Sequence, residues 1–113
     1  MSDAANIHGF IGALLVDSES GLVLVAKGDG TINLPAVAAF SVQIVGVMRQ
    51  HLEASGLNER IEEVLITLSQ QIHLIRPVAL APGVLLHVCL DRRAARLGMA
   101  RVQVKRIEEG LVV

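Results

Sequence analysis

The residues best equipped for chemistry are His73, His87 and Cys89. Imidazole nitrogens and a thiolate are ligands for zinc, and a thiolate beside an imidazole is a nucleophile. His87 and Cys89 stand at i, i+2 and so share one face of an extended segment. His73 falls in the extended segment before it. A turn at Pro82-Gly83 places His73 opposite Asp91 rather than Cys89, and no C-x-x-C or H-x-x-x-H pair accompanies the three. They are expected to be buried or half-buried sheet residues, with neither a metal site nor Cys/His catalysis.

The other candidates are weaker. His8 and His51 are isolated. Asp17, Glu19 and Asp29 cluster around two turns, where solvated carboxylates normally sit, and no pocket signal supports a two-carboxylate acid/base site. There is no G-x-x-x-x-G-K-[ST] loop, so the chain is not itself a P-loop GTPase, and Gly28-Asp29-Gly30 reads as a turn rather than a phosphate loop. Six of the ten basic residues (Arg92, Arg93, Arg96, Arg101, Lys105 and Arg106) fall in the last segment. They spread around a helix without an aromatic platform, which suits a solvated face or an acidic protein partner better than nucleic acid. No catalytic residue, metal or cofactor is expected.

The bulk composition points to association. The 113 residues make a single domain, 1–113, yet 52% of them are apolar, nearly all aliphatic, and mean hydropathy is +0.56. A small domain cannot hide that much aliphatic surface alone, so part of it is expected to be buried in an oligomer. Membrane insertion is not expected. The longest uncharged stretch, Gly30 to Met48, is 19 residues but holds Thr31, Asn33, Pro35, Ser41 and Gln43. The start, Met1-Ser2-Asp3-Ala4-Ala5-Asn6, has no signal-peptide character, and the lone Cys89 fits a reducing cytoplasm. A net charge of −1 gives no general pull toward nucleic acid or anionic lipid.

The elements that position these residues follow from pattern. Phe10 to Asp17 reads as a strand, Ser18-Glu19-Ser20-Gly21 as a tight turn and Leu22 to Lys27 as a second strand. A long helix runs from Leu34 to Ser55, capped by Asn33 or Thr31, with Pro35 in its first turn and Gly56 in the left-handed stop position. Ile61 to Ser69, Ile72 to Val78 and Val84 to Leu90 read as three further strands, with Gln70-Gln71 as the first hairpin link. The last segment keeps Leu97, Ala100, Val104, Ile107 and Leu111 at helical spacing, with Asp91 as its cap, although Arg101 to Lys105 also alternates like a strand. Tight turns between consecutive strands imply antiparallel pairing, hence an α+β fold.

The long helix is apolar on two sides. Val37, Phe40, Ile44, Val47, Met48 and His51 form the expected core stripe. Ala38, Val42, Val45 and Gly46, ending at Arg49, form a second patch of small residues suited to another helix. Val64-Leu65-Ile66-Thr67-Leu68 is an uncharged apolar strand, a liability at a sheet edge unless paired.

Two segments carry a family resemblance. Gly12-Ala13-Leu14-Leu15-Val16-Asp17 with turn glycine Gly21 lies near the start, and Leu90-Asp91 followed by Leu97-Gly98-Met99-Ala100-Arg101 lies near the end. With the long helix between them, the chain from Gly9 to Glu109 resembles the Roadblock family, the dynein light chain roadblock-type fold. The resemblance implies a five-stranded antiparallel sheet of order 2-1-5-4-3, the long helix on one face and the C-terminal helix on the other, in a profilin-like architecture. It implies a homodimer pairing third strand to third strand with the long helices side by side. Its interface would be Ala38, Val42, Val45, Gly46 and Arg49 with Val64, Leu65, Ile66, Thr67 and Leu68. It further implies a non-catalytic module that binds and regulates, or scaffolds, a small Ras-like GTPase. A GTPase-activating protein of this kind supplies no arginine finger and acts by rearranging the GTPase's own residues, so Arg49 would be an interface residue. Family members often begin with a longer helix; here only Ser2 to His8 precedes the first strand. The alternative is a small-molecule sensor of profilin-like or PAS-like type, with a cavity between sheet and long helix and His73, His87 and Arg76 as polar groups.

Overall fold

The computed structural model describes residues 1–111. A 3-10 turn (Ser2–Asn6) leads into strands β1 (Phe10–Asp17) and β2 (Val23–Gly28) and helix α1 (Leu34–Ala54). Strands β3 (Val64–Thr67), β4 (Gln71–Pro77) and β5 (Val84–Asp91) follow, and helix α2 (Leu97–Glu109) ends the order. The strands form one antiparallel sheet ordered β2-β1-β5-β4-β3, as expected.

Alternation along the strands sorts the core into two layers. Leu14, Val16, Ile75, Leu85 and Cys89 point to the α1 face, where Val37, Ala38 and Val45 meet them. Ala13, Leu15, Leu74, Leu86, Val88 and Leu90 point to the other face, under Ala100 and Val104 of α2. The short N-terminal segment joins that second layer: Ala4 and Ile7 are buried among the same residues. Gly9 lets the chain enter β1. Its φ is +85°, and a Cβ there would lie 2.8 Å from the Asp91 carbonyl oxygen and 2.9 Å from the Ala95 nitrogen.

Helix α1 begins as its sequence suggests. Asn33 Oδ1 accepts from the Ala36 N–H at 3.1 Å, Pro35 sits in the first turn, and Gly56 takes φ +67° beyond the end. Its inward side differs from expectation. Ala38, Ser41 and Val45 are buried, whereas Val47, Met48 and His51 are exposed. The sheet face below already carries Leu14, Ile75, Leu85 and two histidines, so the smaller side of the helix packs closest and the bulkier side is left to the flank.

Three local boundaries also move. The two-residue link between β3 and β4 is Ser69-Gln70, closed by the Leu68 N–H donating to the Gln71 carbonyl at 2.8 Å. Strand β3 is shorter than Ile61–Ser69 because Ile61 packs on the α1-side core and Glu63 enters ion pairs. Asp91 does not cap α2. It still belongs to β5, paired with Gln71, and its Oδ1 accepts from the Arg93 N–H at 3.0 Å, so the chain clears the sheet through residues 92–96 before the helix starts.

Candidate functional site

Exposed apolar residues lie on one flank of α1 and on the β3 edge, and others lie at the β2 edge (Leu22, Leu24, Val25) and on α2 (Leu97, Met99, Val102). Phe40, Ile44, Val47 and His51 recur at spacings of four, three and four, so they line one side of the helix. Phe40 leans toward β4 and β5, its ring centroid 6.1 Å from those of His73 and His87. Val47 is 67% exposed and Met48 41%. Strand β3 ends the sheet, so one row of its backbone groups has no strand partner among the described residues. Leu65 and Leu68 on that edge are 38% and 46% exposed, Thr67 is exposed, and Val64 and Ile66 are half-buried toward α1.

This arrangement redraws the expected interface. Val64 to Leu68 is at the edge, as the resemblance implied. Ala38 and Val45 are buried within the single chain and cannot also receive a partner helix. Val42 is half-buried in the same core layer. Arg49 turns the other way, its Nη1 3.5 Å from Ser18 Oγ at the β1–β2 turn, and Gly46 precedes it by three residues on that side. Val47 and Met48, which the sequence had assigned to the core, are left open, whereas Phe40 and Ile44 pack half-buried against the α1-side core as expected.

Beneath Phe40 lies a buried polar group that the expected register had kept apart. His73 pairs with Cys89 across the β4–β5 ladder, and Gln71, not His73, pairs with Asp91. His73 Nδ1 is 2.8 Å from His87 Nε2 and 3.4 Å from Cys89 Sγ. His73 Nε2 meets Gln71 Oε1 at 3.0 Å, which sets that nitrogen as the N–H and leaves Nδ1 as a lone pair. His87 Nδ1 and Ser41 Oγ are buried without protein partners. Burial, reinforced by His73, holds the His87 imidazole down at about 3, burial lowers His73 as well, and burial pushes the Cys89 thiol up to about 12. All three are therefore neutral at pH 7, and a thiol held protonated is not an activated nucleophile.

The far side of the sheet carries an ion-pair network absent from the sequence reading. Arg76 Nε donates to Glu108 Oε1 at 2.9 Å, and its Nη1 lies 3.4 Å from Glu63 Oε1. Glu108 Oε2 accepts from the Ala79 N–H at 3.2 Å, and Arg101 reaches Glu63 at 2.7 Å. Arg76 thus points away from His73 and His87, so the three polar groups of a sensor cavity do not converge. Clefts of about 510 Å³ (Arg49, Leu52, Arg76, Lys105) and about 500 Å³ (Gly9, Asp29, Gln70, Arg93) lie at the ends of the sheet rather than between sheet and helix. Among the described residues, no helix is long and apolar enough to cross a membrane.

The fold has close counterparts. A gliding protein, MglB, from Thermus thermophilus superposes with a TM-score of 0.79 over 96% of this chain and 79% of its own, at 20% identity. MglB from Myxococcus xanthus gives 0.76 over 96% and 81%, at 22% identity. A Roadblock/LC7 domain from Streptomyces avermitilis gives 0.80 over 96% and 88%, at 17% identity. The chain has the Roadblock-type fold. No family model matches its sequence, and no curated protein matches it either. Identity this low beside such superposition means that layer order and sheet topology are shared while most side chains differ.

Proposed function

We propose that this chain is a non-catalytic homodimeric module that binds and regulates, or scaffolds, a small Ras-like GTPase in the cytoplasm. The observation that carries the dimer is the open β3 edge beside the exposed flank of α1. Two copies related by a two-fold axis would pair β3 with β3, join the two sheets, and bring Val47 and Met48 together with their symmetry mates. Solvent-exposed Val47 and Met48 beside an unpaired apolar edge are part of the surplus that the composition had implied. The Roadblock-type fold, with an MglB among its neighbours described in a tetrameric arrangement, supports association.

The regulatory role rests on the Roadblock likeness and on what the chain lacks. The Cys/His group is neutral and roofed, and no phosphate loop is present in the sequence. Such a module works by presenting a shaped surface to its partner. Sedimentation equilibrium across a concentration series tests the assembly: a two-chain species is expected, and a chain that stays monomeric at high micromolar concentration overturns it.

A further inference from the structure

The buried cluster beneath Phe40 is unsatisfied as a protein-only network. His73 Nδ1 offers a single lone pair, yet His87 Nε2 at 2.8 Å and Cys89 Sγ at 3.4 Å both turn toward it. If the His87 Nε2–H fills that lone pair, the thiol has no acceptor there. Unpaired groups of this kind cost free energy in an apolar setting. One ligand atom from each of the three residues lies within 4.8 Å of the others, and all three residues are buried. Three ligand-type atoms grouped this closely can meet at one metal ion once the two imidazoles exchange their direct contact for it.

We propose that His73, His87 and Cys89 form a three-coordinate site for one soft monovalent ion, Cu(I). Ligand type argues for it: a thiolate with two imidazoles is a soft set. Charge argues for it too. Binding releases the thiol proton to solvent, and one thiolate balances one Cu(I), so the occupied site is neutral. Its surroundings are apolar, with Leu14, Ile75 and Phe40 among them, and no carboxylate joins the group among the described residues. Zn(II) would leave a net positive charge there and would lack its usual fourth ligand. The outer shell is already in place for His73, whose Nε2–H donates to Gln71 Oε1 and so fixes the tautomer that frees Nδ1. The site is independent of the GTPase reading, since it faces the interior of one chain.

The test is an anaerobic titration of the full chain against a chromogenic Cu(I) chelator. One ion per chain is expected, with binding lost in Cys89→Ser and unchanged in His8→Asn/His51→Asn. Equal binding by wild type and Cys89→Ser, or no ion captured, overturns the site. If Cys89→Ser fails to fold, X-ray absorption of the copper-loaded wild type replaces it: one sulfur and two nitrogens support the assignment, and any other ligand set defeats it. The same titration with Zn(II) is expected to show weaker binding; tighter Zn(II) binding overturns the preference for a monovalent ion.

Discussion

Replacing Arg76 with Met should destabilise the fold far more than an ordinary ion-pair deletion. The Glu108 side chain is 3% exposed and Arg76 11%, so water screens this pair poorly. Removing the guanidinium leaves Glu108 with one charge-neutral donor, the Ala79 N–H at 3.2 Å. Glu63 is less affected because Arg101 still reaches it at 2.7 Å. Stranding one buried carboxylate costs about 3–5 kcal/mol, whereas an exposed pair is worth ~0–1 kcal/mol. At this chain length the loss corresponds to a fall in melting temperature of roughly 10–20 °C. The assay is urea and thermal unfolding at one fixed protein concentration, since association would otherwise shift the midpoint. A second variant isolates the cause. Glu108→Gln keeps an acceptor for Ala79 N–H but carries no charge, so Arg76→Met/Glu108→Gln should recover more than half of the loss. An Arg76→Met protein that melts within about 2 °C of wild type would refute the account of a desolvated charge.

Four further outcomes follow. Val47→Glu should fold normally but weaken the dimer by at least ~100-fold, because the substitution appears twice across a two-fold axis and buries unpaired charge, and sedimentation velocity reads the change directly. Val45→Glu should instead fail to fold, since Val45 is fully buried in the single chain; circular dichroism separates the two cases. Gly9→Ala should cost ~1–3 kcal/mol in chemical unfolding, through a positive φ and a Cβ forced within 3 Å of the Asp91 and Ala95 backbone. The metal-free protein should lose stability progressively as pH falls from about 6.5 toward 3. His87, depressed to about 3 when folded, takes up its proton more readily once unfolded, so acid favours the unfolded chain. A wild type whose unfolding midpoint falls with pH no more steeply than that of His87→Phe would contradict the assignment.

What the sequence made legible was the part written in local pattern. Turn glycines, the Asn33 cap with Pro35, and strand alternation located nearly every element, and the resemblance supplied the sheet order. What remained hidden depended on choices that local pattern does not make. Helix α1 is apolar on two sides, and which side turns inward depended on the volume already filling the sheet face, a property of Leu14, Ile75, Leu85 and the histidines together. Register was the second such choice. A two-residue difference across the Pro82-Gly83 hairpin decides whether His73 faces Asp91 or Cys89, and turn residues alone did not fix it. The ion-pair network was invisible for a third reason. Glu63, Arg76 and Glu108 are far apart in sequence, and charges at 13 and 32 positions' separation leave no local signature.

The claim that this chain regulates a small GTPase is tested most directly by affinity capture from native lysate. The immobilised protein is loaded with GDP present, then again with a non-hydrolysable GTP analogue, and the bound proteins are identified by mass spectrometry. A Ras-like GTPase enriched in one nucleotide state is the predicted result. Absence of any GTPase in both states, with the bait confirmed folded and dimeric, would contradict it.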